Sequence, residues 1–184
     1  MKDPLKIIGA NGDRRKNDFY PTPKEVTVAL IDFLQDHNLI KKDDIVWEPA
    51  CGNNAIVNVL NEMKINTWET DIKTGQDFLT YQMDIPFDWI ITNPPFSLAE
   101  EFIRKSIEYQ KPFAMLLKSQ YWHSAKRRKL FDGYPPKVIL PLTWRPDFTG
   151  AGNSMLDMMW CVWLGKSDVT YYHPLSKPRL EETT

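Results

Sequence analysis

The feature that most constrains the fold is an apolar run that ends abruptly in a rigid, proline-containing segment. Residues 87–91 (Phe-Asp-Trp-Ile-Ile) are mostly apolar, which is typical of a buried strand. The run stops at residues 92–97 (Thr-Asn-Pro-Pro-Phe-Ser), where two prolines prevent a hydrogen-bonded ladder from continuing. A helical pattern then begins. The sequence therefore predicts that the Asn93 amide and the Phe96 ring lie at the carboxyl end of a buried strand, the edge where open α/β sheets bind ligands.

Strand and helix patterns alternate along most of the chain. Strands are predicted at 45–47, 66–70, 87–92, 113–117, 137–141 and 158–164, and helices at 23–38, 55–63, 98–109 and 124–131. Little room for a strand remains near residues 77–79, so a strand there would be very short or absent. The alternation predicts one α/β domain, a Rossmann-like sandwich with a central, mostly parallel sheet and helices on both faces. We expect an irregular, flexible arm at 1–18, the domain at 19–166 and a polar, loose tail at 167–184.

Composition narrows the class of protein. The 184 residues suit one domain with a proper core, and the net charge of -1 gives no overall attraction to nucleic acid, so any basic surface must be local. Two cysteines do not form a disulfide framework and fit a reducing compartment. The apolar runs are far shorter than a membrane span, and residues 1–16 lack the apolar region of a signal peptide. We expect a soluble cytoplasmic protein. The three histidines lack ligand spacing, so we expect no metal.

A polar loop and an acidic side chain follow the first two predicted strands. The loop, residues 48–54 (Glu-Pro-Ala-Cys-Gly-Asn-Asn), precedes a helix, as in the first half of a Rossmann-like unit. Glu48 closes the strand where a carboxylate can face a ligand, and Gly52 lets the backbone approach that ligand closely. Asp71 ends the second strand, where an acid can accept hydrogen bonds from ribose hydroxyls. Glu69 remains the alternative, because alternation puts it on the same side of the strand.

The first predicted helix begins in residues 20–23 (Tyr-Pro-Thr-Pro). Thr22 is a suitable N-cap, Pro23 suits the first helical position, and Glu25 adds an acid to the first turn. Free N–H groups at such a helix start can bind a carboxylate. The alternative interpretation is only a well-capped helix.

The residues just described resemble a known set of motifs in the same order. Asn93-Pro94-Pro95-Phe96 resembles the catalytic tetrapeptide of class I S-adenosylmethionine-dependent amino-methyltransferases. Residues 48–54 resemble their cofactor-binding motif, and residues 20–23 resemble their amino-terminal motif. The resemblance covers residues 19–97, and its motif order is that of one subgroup of DNA adenine methyltransferases. Chain length and the later Arg145-Pro146-Asp147-Phe148 are most similar to small phage-type DNA N6-adenine methyltransferases, which would place the protein in a host cytoplasm.

The resemblance implies S-adenosylmethionine as cofactor and a set of residues that bind it. In the family, the Thr-Pro helix start meets the methionine end of the cofactor, and an acid–aromatic pair such as Asp77-Phe78 lies at the adenine. Family members usually have glycine where this chain has Asn54. Asparagine is the best other residue for a left-handed conformation, so we expect the turn to persist. The implied cofactor-binding residues are Tyr20, Thr22, Pro23, Glu48, Ala50, Gly52, Asn54, Asp71, Asp77 and Phe78.

The tetrapeptide suits methyl transfer to an exocyclic amine. Such an amine is a poor nucleophile, because the aromatic ring delocalises its lone pair. The Asn93 side-chain oxygen and the Pro94 carbonyl can accept its N–H groups and stabilise the positive charge that develops on nitrogen. Phe96 can stack on the acceptor ring, and Pro95 holds the turn rigid.

DNA is the expected partner, and a duplex base must be flipped out to react. Aromatic residues that could flank a flipped base are Phe96, Trp122, Trp144 and Phe148. The expected substrate-binding residues are Arg14, Arg15, Lys16, Trp122, Arg145 and Phe148. A second basic group on a predicted helix could also meet phosphates, with a solvated helix face as the equal alternative: Lys126, Arg127, Arg128 and Lys129.

Two alternatives to adenine methylation in DNA stay open. The same chemistry could act on a protein glutamine, an RNA base or cytosine N4, because an Asn-Pro-Pro-aromatic motif occurs across these enzymes. The chain could instead be a catalytically weak nucleic-acid-binding homologue, which Asn54 suggests.

Overall fold

The computed structural model describes residues 20–150, 152 and 155–180. Four α-helices are described: α1 (Lys24–Asp36), α2 (Ala55–Glu62), α3 (Ala99–Glu108) and α4 (Arg128–Gly133). The strands are β1 (Ile45–Glu48), β2 (Asn66–Glu69), β3 (Trp89–Thr92), β4 (Phe113–Lys118), β5 (Val138–Pro141), β6 (Met158–Trp163) and β7 (Tyr171–Tyr172). Short 3₁₀ turns lie at Ile72–Thr74, Phe96–Leu98 and Ala125–Arg127. The expected arm at 1–18 lies outside the described residues.

The described strands form one sheet with the order β2-β1-β3-β4-β6-β5-β7. β1 pairs in parallel with β2 and β3, and β3 pairs in parallel with β4. β6 runs antiparallel between β4 and β5, and β5 pairs in parallel with β7. The predicted mostly parallel sheet with helices is therefore confirmed. Its carboxyl edge carries the ends of β1, β2, β3 and β4 side by side.

Two hydrophobic cores lie on the two faces of this sheet. Alternate strand residues divide between them: Ile91 packs with the side chains of α1 and α2, whereas Ile90 packs with those of α3. This follows from strand geometry, in which successive side chains point to opposite faces. Both faces are apolar because helices cover both. Among the described helices, none combines the length and hydropathy needed to cross a bilayer.

Four of the tryptophans anchor these cores rather than a ligand. Trp47, Trp89, Trp160 and Trp163 are 2% exposed or less. The indole N–H of Trp47 donates to the Thr70 hydroxyl at 2.9 Å, and that of Trp160 donates to a carbonyl in α1 at 3.0 Å. Because a buried indole N–H needs a partner, the Trp47 bond helps to fix β1 against the end of β2, and the Trp160 bond helps to fix β6 against α1.

The segment after residue 166 departs from the expected loose tail. Tyr171 and Tyr172 pair with β5, and Leu175 is 6% exposed in the core beside Leu142. A polar stretch with two adjacent tyrosines can satisfy an open strand edge, and one buried leucine holds it there. Around residues 77–79 no strand forms, as the limited space suggested.

Candidate active site

A pocket of about 530 Å³ opens at the carboxyl edge of β1, β2 and β3. This is the edge that the sequence predicted for ligand binding, and the volume is within the usual range of small-molecule sites. Three acidic side chains, those of Glu48, Asp71 and Asp77, lie in its wall. The other predicted site residues that line it are Tyr20, Thr22, Ala50, Phe78, Asn93, Pro95 and Phe96.

The loop after β1 is a tight turn that two left-handed residues make possible. Gly52 has φ 57° and Asn54 has φ 64°. The Asn54 N–H donates to the Cys51 carbonyl at 2.7 Å, and α2 begins at the next residue. The prediction that Asn54 keeps the left-handed conformation is therefore confirmed. Neither Gly52 nor Asn54 lines the pocket; both shape the loop whose other residues do.

Asp71, rather than Glu69, faces the pocket. Its side chain is only 7% exposed, and its two oxygens accept the backbone N–H groups of Gly52 and Lys73, each at 2.8 Å. Glu69 is exposed and lies outside the pocket wall. Alternation along the strand does not separate the two acids, whereas burial and the pocket wall do. The geometry thus selects Asp71.

Glu48 is an acid buried in the pocket wall. It is 1% exposed, and its Oε1 accepts the Ala50 N–H at 3.0 Å. Burial raises the pKa of Glu48 to about 8, and the nearby charge of Asp71 adds to this, while the Thr92 hydroxyl and the Ala50 N–H act in the opposite direction. At pH 7 the side chain is therefore mostly a neutral carboxylic acid.

Asp77 and Phe78 both line the pocket. The Asp77 carboxylate accepts the Leu79 N–H at 3.0 Å. The Phe78 ring is 2% exposed and packs against Trp47 and Phe102, with centroids 5.2 Å and 4.7 Å away. Phe78 is thus a core ring whose edge reaches the pocket.

The amide of Asn93 is held in one orientation. Its Nδ2 donates to the Tyr20 carbonyl at 3.2 Å and to the Thr22 hydroxyl at 3.1 Å. A backbone carbonyl can only accept, so the group that faces Tyr20 must be the amide nitrogen. The oxygen Oδ1 is then the branch of the side chain that is able to accept from a ligand. Pro94 is buried beneath the turn and does not line the pocket.

Thr22 does not cap the first helix, which corrects the sequence prediction. The N-cap position is Pro23, without a side-chain cap bond, and α1 begins at Lys24. Pro23 also lies outside the pocket wall. Thr22 is one residue too early to reach the free N–H groups, and its hydroxyl instead accepts the Asn93 amide. The predicted acid in the first turn, Glu25, is present.

Aromatic rings cluster around the tetrapeptide. Tyr20 stacks on Phe96 with centroids 6.0 Å apart and meets Phe148 edge-on at 6.2 Å. The Lys118 ammonium lies 4.3 Å from the centroid of the Phe96 ring. Sequence reasoning missed Lys118. The available signal was its position at the end of β4, which lies beside β3 at the same edge of the sheet.

Other predicted substrate residues lie away from the pocket. Trp122 is a correction: it packs between Tyr121 and Phe131, at 4.8 Å and 5.1 Å, on the α4 side of the sheet. A tryptophan after a buried strand fills the nearest core, and the sequence does not reveal which face that is. Arg145 pairs with Asp157 at 2.8 Å on the surface. The predicted contacts that lie outside the described residues are Arg14, Arg15 and Lys16.

Two of the four residues in the second basic group, Arg127 and Arg128, have partners within the chain. Arg127 lies 4.3 Å from the Tyr121 ring centroid and donates to the Tyr121 carbonyl at 3.0 Å. Arg128 pairs with Asp132 at 3.0 Å, and both side chains are well exposed. Trp144, the remaining predicted aromatic, packs partly buried against the core of α1 and α2. Neither Trp144 nor the basic group lines the pocket.

Comparisons with known proteins identify the fold. No family model matches the chain, and no curated protein matches its sequence. Among solved structures, the chain is similar to a Listeria monocytogenes protein whose name assigns it to the class I S-adenosylmethionine-dependent methyltransferases. The TM-score is 0.60, with 14% identity over 92% of this chain and 68% of the other.

A Pyrococcus horikoshii protein named as an RNA methyltransferase is also similar. The TM-score is 0.53, with 13% identity over 80% of this chain and 87% of the other. At such identities the likeness concerns architecture. The sheet order and the pocket at its carboxyl edge agree with it: this chain has the Rossmann-like fold of class I S-adenosylmethionine-dependent methyltransferases.

Proposed function

We propose that the protein transfers the methyl group of S-adenosylmethionine to the exocyclic N6 amine of adenine in DNA. The observation that carries this proposal is the orientation of Asn93. Its amide nitrogen is used by Tyr20 and Thr22, which leaves its oxygen as the acceptor at the pocket. An oxygen acceptor on a rigid turn is what an amine nucleophile needs, whereas an amide N–H group at the same place would repel the amine hydrogens.

The pocket wall fits the proposed cofactor. S-Adenosylmethionine carries a positive sulfonium and an ammonium group, and it supplies an activated methyl group. Glu48, Asp71 and Asp77 provide acidic side chains around the pocket. We assign Asp71 to the ribose hydroxyls and Asp77 to the adenine amino group. The Listeria monocytogenes neighbour is also named for this cofactor.

The acceptor side of the pocket supports the chemistry in three ways. Asn93 Oδ1 accepts an N–H group of the amine, which helps to aim its lone pair at the methyl group; the other acceptor expected from the sequence, the Pro94 carbonyl, belongs to a buried residue outside the pocket wall. Phe96 fixes the plane of the acceptor ring by stacking, and Pro95 keeps the turn rigid. The nitrogen would gain the methyl group as the methyl–sulfur bond of the sulfonium breaks and the sulfur becomes a neutral thioether. The nitrogen would then lose one proton to solvent, because the neutral Asn93 amide is a negligible base.

Alternative acceptors keep the same chemistry. An RNA base is the second candidate, because the Pyrococcus horikoshii neighbour is named as an RNA methyltransferase. Protein glutamine and cytosine N4 would use the same tetrapeptide. The left-handed conformation of Asn54 argues against a catalytically weak homologue, because that residue adopts the conformation a glycine would supply.

Radiolabelled methyl transfer tests the proposal. The protein is incubated with S-adenosylmethionine tritiated on its methyl group, together with DNA or RNA, and the nucleosides are then separated. We expect label in N6-methyladenine from DNA. Label confined to RNA nucleosides or to protein would overturn the DNA assignment. Calorimetry that detects no binding at millimolar cofactor would overturn the methyltransferase itself.

The matched control is Asn93→Ala. Its turnover should fall by about 10²–10³-fold, the usual effect of removing one group that stabilises a developing charge. Cofactor binding should persist, because Asn93 is assigned to the acceptor. Retained turnover would remove Asn93 from this role.

A further inference from the structure

The segment before α1 is the partner of the tetrapeptide. Thr22 and Asn93 are 71 positions apart in sequence, yet the Thr22 hydroxyl accepts the Asn93 amide at 3.1 Å. The neighbouring Tyr20 adds a carbonyl acceptor to the same amide and stacks its ring on Phe96. Two side chains of the tetrapeptide, those of Asn93 and Phe96, are therefore held by residues that lie more than 70 positions earlier in the chain.

Other roles of Thr22 do not explain its placement. The side chain is only 6% exposed, so it is not a solvated surface group. It is not the N-cap of α1, which is Pro23. What remains is its bond to Asn93 and its place in the pocket wall.

The bond matters because an asparagine amide has two nearly isosteric orientations. Rotation by half a turn would exchange the oxygen and the nitrogen that face the acceptor. With the nitrogen outward, Asn93 would present N–H groups to an amine whose own N–H groups need an acceptor. The Tyr20 carbonyl can only accept and so disfavours that orientation. The Thr22 hydroxyl adds a second bond to the amide nitrogen, which restrains the position of the amide in the productive orientation.

We propose that Thr22 is a positioning residue for the acceptor step, one that orients the Asn93 amide. The inference rests on the proposed function, since it concerns the same site. It differs from the role that the family resemblance implies, in which the Thr-Pro segment meets the methionine end of the cofactor. A cofactor contact would appear in cofactor affinity, whereas a positioning role appears in turnover.

Two substitutions separate these roles. Thr22→Val replaces the hydroxyl with a methyl group of similar size, and Thr22→Ser keeps the hydroxyl. We expect about a tenfold fall in kcat for Thr22→Val, in line with the loss of one buried hydrogen bond, and near wild-type kcat for Thr22→Ser. The Kd of S-adenosylmethionine, measured by calorimetry, should change less than threefold in either variant. Weakened cofactor binding with unchanged kcat in Thr22→Val would overturn the proposal.

A readout without turnover separates this proposal from the proposed function. The side-chain amide protons of Asn93, assigned by NMR through the loss of their signal in Asn93→Ala, should exchange with solvent faster in Thr22→Val than in wild type or Thr22→Ser. If wild-type protein methylates no acceptor, the proposed function fails, while this exchange still tests the orientation. If wild type is active and Thr22→Val matches it in both kcat and exchange, the positioning role fails alone.

Discussion

Replacing Glu48 with glutamine should remove a pH-dependent cost of folding. The carboxyl group is 1% exposed, and burial raises its pKa from 4.5 to about 8. The folded protein thus holds this proton more tightly than the unfolded chain does. Glu48 then favours folding fully below pH 4.5, and that contribution is lost as the pH rises toward 8.

The size of the effect follows from the shift. The pKa of Glu48 rises by about 3.5, from 4.5 to about 8. At 1.36 kcal/mol per unit this gives about 5 kcal/mol, an upper limit because the pocket can admit water when the group ionises. Glutamine has similar shape and no proton to lose. The free energy of unfolding of Glu48→Gln, relative to wild type, should therefore rise by up to about 4 kcal/mol between about pH 5 and about pH 9, the part of the full titration that this range covers.

Urea unfolding of both proteins at each pH unit across this range measures the effect. The comparison contains its own control, because the other titrating groups are common to both proteins and cancel in the difference. The slope of stability against urea should also stay equal, since the same surface is exposed on unfolding. A stability difference that is constant from acid to alkaline pH would refute the reasoning from burial.

Two further predictions test the cofactor loop. Binding of the positively charged cofactor next to Glu48 should favour its ionised form, so wild type should release nearly one proton per cofactor at about pH 7, whereas Glu48→Gln should release none. Calorimetry in buffers of different ionisation enthalpy counts these protons. Equal proton counts for wild type and Glu48→Gln would show that Glu48 is not the group that ionises when the cofactor binds. Asn54, with φ 64°, should tolerate Asn54→Gly within about 0.5 kcal/mol, whereas Asn54→Val should cost about 1–2 kcal/mol or more. Chemical unfolding measures this pair, and equal losses would exclude the left-handed turn.

The local elements of the fold were predictable because each leaves its pattern in a short stretch of chain. The apolar run before Asn93 is β3, and the alternation of strands and helices predicts the central sheet. Asn54 was predicted to be left-handed from its own residue type and its place before α2, and it is. In these cases the deciding energies come from propensity and from neighbours along the chain.

The contacts between distant segments were not predictable in this way. The choice of Asp71 over Glu69 depends on the Gly52 N–H, which lies 19 positions earlier in the chain and reaches Asp71 only in the folded loop. Trp122 has no local signal to say which face of the sheet it joins. The pairing of β7 with β5 depends on an edge that exists only once the sheet has assembled.

The tetrapeptide Asn93–Phe96 has features that the sequence determines and one that only the tertiary structure determines. By itself, the sequence determined that Asn93 follows a buried strand and that two prolines stiffen the turn after it. Only the tertiary structure decided which end of the amide is occupied, because Tyr20 and Thr22 reach Asn93 from the start of α1. Periodicity and residue type act along the chain, whereas a hydrogen-bond partner is chosen among groups that folding brings together.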